Sequence, residues 1–207
     1  MATTEQVKVW DPLVRIFHWT LVLSFTVAYF TAEEESAWHI YSGYTVIGLV
    51  LFRILWGLIG TKHARFSDFI YPPKVILAYT RGFLARRPDP YLGHNPLGGI
   101  MVVALLLVIL ATTVTGLMVY AIEENAGPLA GFAVTDGPTP IASAHADELD
   151  GEEAREEFWE ELHELFTNLA LILIALHILG AIAASRVHGE NLVKAMITGR
   201  KRRLSNE

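Results

Sequence analysis

The sequence predicts an all-α membrane protein, a four-transmembrane-helix bundle with both termini cytoplasmic, forming a single membrane domain over residues 1–207. Three observations carry this. The chain of 207 residues is 52% hydrophobic, with a mean hydropathy of +0.37. Four stretches run for about 20 residues with almost no charge, the length that crosses a hydrocarbon core. Basic and acidic residues fall on alternate sides of those stretches. Cysteine is absent, which excludes disulfides, thiolate metal sites, cysteine-ligated iron–sulfur clusters and covalent haem attachment through CxxCH. The first residues lack an apolar core followed by a small-residue cleavage site, so no removed signal peptide is expected.

The first helix is expected over about 12–31, with Asp11 as N-cap and Pro12 at the first helical position, ending at Glu33, Glu34 and Glu35. The second is expected over about 37–59, after Ser36 and before Gly60. The third, over about 96–122, has Asn95 and Pro96 as its start signal. The fourth, over about 157–185, opens with acidic and aromatic turns and continues as LALILIALHILGAIAA. Between the second and third lies a basic connection. Its segment 72–84 alternates Val75, Ile76, Tyr79 and Phe83 with Lys74 and Arg81, a pattern that fits either an interfacial helix or an ordinary loop. An acidic connection rich in Gly, Pro and Asp occupies about 123–156.

Of the 16 Lys and Arg residues, only Arg155 falls in the connection after the first helix or the one after the third. The others lie in the tails, in the middle connection, or inside helices as Arg15 and Arg53. The positive-inside rule then puts both tails and the middle connection in the cytoplasm, and the acidic connections outside.

Four of the eight histidines, His18, His39, His163 and His177, lie in or at the ends of apolar helices. Ionisable groups are costly there and usually functional. His163 and His177, 14 residues apart, are offset by about 40° around the helix and about 21 Å along it. They therefore share a face at two depths. His18, about two turns into a helix that starts inside, is level with His177. His39, in the first turn of a helix that starts outside, is level with His163. Two pairs arise, one near each surface, as bis-imidazole ligation of haem iron requires. Structural zinc wants four ligands at one point. A proton relay would usually add intramembrane carboxylates, and none occurs in the helix interiors.

Gly43, Gly48, Gly98, Gly99, Gly116 and Gly180 admit either a flat ring or close helix packing. Arg15 and Arg53 can pair with haem propionates or snorkel to the interface. Trp10, Trp19, Trp38, Trp56 and Trp159 fall near helix ends, as an aromatic belt does. His94, in LGHNPLGG, has no level partner; it is a candidate support for a ligand or part of a quinone site. His63, His145 and His188 read as solvated.

FHW at His18, WHIYSGYTVIGLVLFRILWG around His39, and LHELFTNLALILIALHILGAIAA around His163 and His177 resemble the bacterial cytochrome b561 and nickel-hydrogenase b-subunit family. GHNPLGG and TGLMVY are similar to a common branch of it. The resemblance covers nearly the whole chain. It implies a four-helix bundle with two non-covalent bis-His b haems, pairing His18 with His177 and His39 with His163. It also implies electron transfer in the bacterial inner membrane between the quinone pool and a periplasmic cytochrome or other redox protein. Two alternatives remain within the resemblance: a stand-alone superoxide-oxidising quinone reductase, and the b-type subunit of a membrane-bound hydrogenase. Outside it stands a non-redox membrane protein with structural histidines. The acidic outer residues, among them Glu160, Glu161 and Glu164 beside His163, read either as solubilising loop or as a docking surface for a basic partner. They disfavour a small anionic substrate. No nucleic-acid partner is expected.

Overall fold

The computed structural model describes residues 6–32, 36–135 and 148–202. Glu33 to Glu35, Asp136, His145, Asp147 and Arg203 lie outside the described residues, as do the side chains of Glu148, Asp150 and Glu152. Among the described residues, four helices are long and apolar enough to cross a membrane: α1 (Pro12–Phe30), α2 (Ala37–Ile59), α4 (Pro96–Glu123) and the part of α6 from Glu153 to His188. A shorter α3 (Pro73–Leu84) lies between α2 and α4, and α5 (Ala130–Thr135) follows α4.

The start signals act as the sequence implies. Asp11 Oδ1 accepts the Val14 N–H at 2.9 Å, and Asn95 Oδ1 accepts the Gly98 N–H at 2.8 Å, each supplying an acceptor for an otherwise orphaned first-turn donor. Asp11 does more. Its Oδ2 accepts Trp56 Nε1–H at 3.2 Å and the Thr61 hydroxyl, tying the start of α1 to the end of α2. Segment 72–84 is helical, with Tyr79 buried, which decides for the amphipathic helix over the loop.

α6 runs from Glu148 to His188, about 62 Å of helix and twice a hydrocarbon core. It starts at Glu148 rather than Glu157. The 148–156 stretch is rich in Glu, Leu, Ala and Arg, which are strong helix formers, and acidic residues suit a helix N-terminus. Part of the acidic connection is therefore a rigid extension of the spanning helix.

At the opposite end the tails build a cap that the sequence reading did not foresee. Strand β1 (Gln6–Lys8) pairs antiparallel with β2 (Arg200–Arg202), Val7 opposite Lys201. Helix α7 (Leu192–Thr198) is capped by Asn191 and ended by Gly199 at φ 77°, the left-handed position that favours glycine. The Gly199 carbonyl accepts both Val9 and Trp10 N–H groups. Lys201, 6% exposed, donates to the Tyr91 and Leu92 carbonyls at 3.1 and 3.0 Å and pairs with Glu190 at 3.2 Å. Both chain ends and the 91–94 loop thus share one end of the bundle.

The spanning helices pack in the order α1–α2–α4–α6. Phe17, Val46, Val50, Leu106 and Ile109 form the central core; Met118, Ala121 and Trp159 form a second one between α4 and α6. Neither α1 nor α2 packs closely on α6. The array is open along that seam.

Candidate functional site

The two histidine pairs bridge this seam. His39 on α2 faces His163 on α6 with ring centroids 6.2 Å apart and planes at 87°. His18 on α1 faces His177 on α6 at 6.4 Å and 51°. Two imidazoles bound through Nε2 to opposite sides of one metal at about 2.0 Å would have centroids about 6.3 Å apart. Both separations match that arrangement, and both pairs come from helices held apart.

At the His39–His163 pair, the outer one in the orientation expected from the charges, the proton positions follow from the partners. His39 Nδ1 is 2.9 Å from the Ala28 carbonyl of α1. His163 Nδ1 is 2.9 Å from the Thr112 carbonyl of α4 and 3.2 Å from the Thr115 hydroxyl. A carbonyl only accepts, so each Nδ1 carries the hydrogen and each Nε2 keeps its lone pair. That is how metal-ligating histidines are oriented. A cleft of about 100 Å³ lies here, lined by both histidines, Gly43 and Gly116.

The glycines divide by environment. A Cβ on Gly116 would lie 2.8 Å from His163 Cε1, so only glycine lets that ring stand against α4. A Cβ on Gly99 would strike the Phe69 carbonyl, and one on Gly98 would approach the Asn95 side chain at 3.3 Å. Gly43, Gly48 and Gly180 have no protein neighbour within 4 Å of that point; close helix packing does not account for these three.

At the His18–His177 pair, the inner one in that orientation, no such hydrogen bond occurs among the described residues, and the enclosed His18 Nδ1 has no partner among them. Arg53, read as a possible snorkelling residue, is instead 2% exposed, its Cζ 5.2 Å from the Phe66 ring and 5.9 Å from Phe69. Arg15 donates from Nη1 to the Ile197 carbonyl of α7 and keeps an enclosed, unpartnered Nε. It is an anchor for the cap.

The His94 ring packs against Trp10 and Phe69, with centroids 4.6 and 4.5 Å away, and its Nδ1 has no hydrogen-bond partner among the described residues. Two histidines depart from the sequence reading. His63 pairs with Asp68 at 2.9 Å, and His188 Nε2 lies 3.1 Å from the Tyr79 hydroxyl, so neither is a free solvated residue. Trp10 and Trp159 are buried, while Trp19 and Trp38 are exposed as belt residues are. The partners of His94 and His188 are distant in the chain, so no local pattern could have revealed those contacts; Asp68 is only five residues from His63.

At the acidic end of the bundle, Glu123 of α4 meets Glu156 and Glu160 of α6, their carboxylates within 4.8 Å of one another. This concentrates negative charge one turn from His163.

Residues 9–199 match the family described as prokaryotic cytochrome b561. The probable Ni/Fe-hydrogenase B-type cytochrome subunit of Rhodobacter capsulatus is 26% identical over 226 residues, covering 94% of this chain and 81% of its own length. No solved structure matches.

Proposed function

The chain belongs to the prokaryotic cytochrome b561 family and is a multi-pass membrane b-type cytochrome of electron transfer, and within that frame we propose that it holds two b haems and passes electrons between quinone and a redox partner outside the membrane. One observation carries the number two: imidazole pairs 6.2 and 6.4 Å apart across a seam where α1 and α2 do not pack closely on α6. His39 and His163 would ligate the outer haem, and His18 and His177 the inner one. Arg53 is the inner propionate partner in this reading. The enclosed Nη1 it leaves free suits an anionic group better than the lipid interface. Arg15, held by Ile197, would act through the cap or with its free Nε.

Bound haem iron supplies a one-electron couple. The chain's own residues supply the rest. Ala28 and Thr112 fix the tautomers of the outer ligands through their carbonyls. α6 carries one ligand of each pair on one rigid element, setting the two sites about 21 Å apart along its axis. The Lys/Arg asymmetry supports tails and inner pair on the cytoplasmic side, in a bacterial inner membrane. A haemochrome assay on haem-replete protein is the test: two haems per chain are expected, and fewer than two removes the reading.

The hydrogenase-subunit reading is the second. The R. capsulatus relative's name supports it, and the extended acidic α6 offers a surface for a protein partner. A superoxide-oxidising reductase would need to admit a small anion past that surface, and Arg155 is its only basic residue. Reduction kinetics with a purified hydrogenase, a periplasmic cytochrome and superoxide distinguish the three.

A further inference from the structure

Six side-chain polar atoms among the described residues are enclosed and unpartnered, and four of them sit at the inner end: Arg15 Nε, His18 Nδ1, Arg53 Nη1 and His94 Nδ1. Buried polar atoms are normally paired, and an orphan points to a missing ligand. Two of the four are held by one aromatic wedge. Phe69, 1% exposed, has the Arg53 guanidinium 5.9 Å from its ring centre and the His94 ring 4.5 Å away.

Arg53 is a buried cation without an ion pair among the described residues. Asp11 acts on it electrostatically, but the Asp11 oxygens are taken by Val14, Trp56 and Thr61. A buried unpaired charge is expensive, and a guanidinium is best satisfied by a planar carboxylate. His94 brings no second charge. Burial first, then the neighbouring charges of Arg53 and Lys201, push it down to about 3, so it is a neutral imidazole with a hydrogen to donate. One cation and one neutral donor fit a single monoanionic carboxylate.

The position is right for the inner site. Arg53 lies six residues before the end of α2 and His18 six after the start of α1, each about 9 Å from the same bundle end. His177 is among the groups whose charge His94 would feel. The loop that carries His94 is fastened by Lys201, through the carbonyls of Tyr91 and Leu92.

We propose that Arg53 and His94 form a carboxylate clamp that seats a propionate of the inner haem, with Lys201 as the positioning residue that keeps His94 in place. This rests on the bis-histidine reading of His18 and His177. It gives the GHNPLGG histidine a role and explains why the two tails fold over this end.

The test uses full-length, haem-replete protein carrying Arg53→Gln, Arg53→Lys, His94→Phe or Lys201→Met. Readouts are haem per chain, the redox titration of each spectral component, and the rate of haem loss to an acceptor protein. Arg53→Gln should move only the inner component to lower potential, because it removes a cation that favours the reduced form. His94→Phe keeps the packing against Trp10 and Phe69 but loses a hydrogen bond to a charged group, so inner haem should leave about tenfold faster. Arg53→Lys should restore the potential more than the retention, and Lys201→Met should resemble His94→Phe. An inner component unmoved in both Arg53→Gln and His94→Phe, with two haems in wild type, removes the clamp alone. The same holds if those variants change only reduction by a short-chain quinol, since the donors would then serve quinone. Fewer than two haems in wild type removes the clamp together with the pairing beneath it. If Arg53→Gln does not fold, His94→Phe decides.

Discussion

The Nδ1 of His39 donates to the carbonyl oxygen of Ala28 across 2.9 Å, so α1 determines which nitrogen of an α2 histidine is free to bind a metal. His163 is held in the same way by Thr112. The outer histidines are thus oriented by helices that carry no ligand of that pair.

This orientation makes the pairing testable. His39→Ala and His163→Ala should remove the same component from the reduced-minus-oxidised spectrum, and His18→Ala and His177→Ala the other. The double variant His39→Ala with His163→Ala should look like either single one, because the two act as a unit. Loss of one shared component in His18→Ala and His163→Ala would contradict the seam geometry.

Gly116 offers a sharper probe of the outer site. Its added Cβ would sit 2.8 Å from His163 Cε1 with ring atoms of His163 as its three nearest neighbours. Gly116→Ala should therefore tilt or displace that imidazole, altering or removing the outer component while the inner one keeps its spectrum and potential. Alanine otherwise favours a helix interior by about 0.5–1 kcal/mol over glycine, so global unfolding is not expected. An unchanged outer spectrum would show that His163 is not a ligand in this orientation.

Asp11 predicts a pH effect. Burial raises its pKa, but hydrogen bonds from Thr61, Val14 and Trp56 outweigh that, and the net pKa lies below the ordinary 3.8. A carboxyl with a lowered folded pKa contributes stability that is present above its unfolded pKa and lost as pH falls through the folded one. The melting temperature of the detergent-solubilised protein should fall below pH 4 partly through this group. Asp11→Asn, which keeps the cap but cannot accept at both oxygens, should show a smaller fall over that window. Asp11→Ala should cost about 1 kcal/mol for the cap alone. Identical acid profiles for wild type and Asp11→Asn would show that the clasp to Trp56 and Thr61 carries no weight.

The acidic end of α6 predicts a salt effect. Glu156 and Glu160 converge with Glu123 beside the outer pair, and Glu153 and Glu157 extend the same charge. Steering of a basic partner fades once ions screen it beyond a Debye length of about 10 Å at 0.1 M. Electron transfer with a protein partner should slow as ionic strength rises. Replacing Glu153, Glu156, Glu157 and Glu160 with Gln should lower the association rate and leave both haem spectra unchanged. A rate flat with salt and indifferent to these replacements would leave the acidic turns a solvated extension.

Residue order alone determined the spanning helices, because in a bilayer an apolar run of sufficient length has no alternative to a helix with all its backbone hydrogen bonds internal. It also determined the depths of His18, His39, His163 and His177, because helical rise is fixed at 1.5 Å per residue. The same arithmetic cannot say what touches what. Only the tertiary structure decided that α1 and α2 stand off from α6, that Arg53 turns inward to Phe66 and Phe69, and that His94 packs against Trp10 and Phe69 from a loop held by Lys201. Each of these joins residues far apart in the chain, through packing and charge satisfaction that no local pattern encodes. The tail cap follows the same logic: three-residue strands are too short to be read from sequence, and they form because Gln6–Lys8 and Arg200–Arg202 are brought to the same end of the bundle.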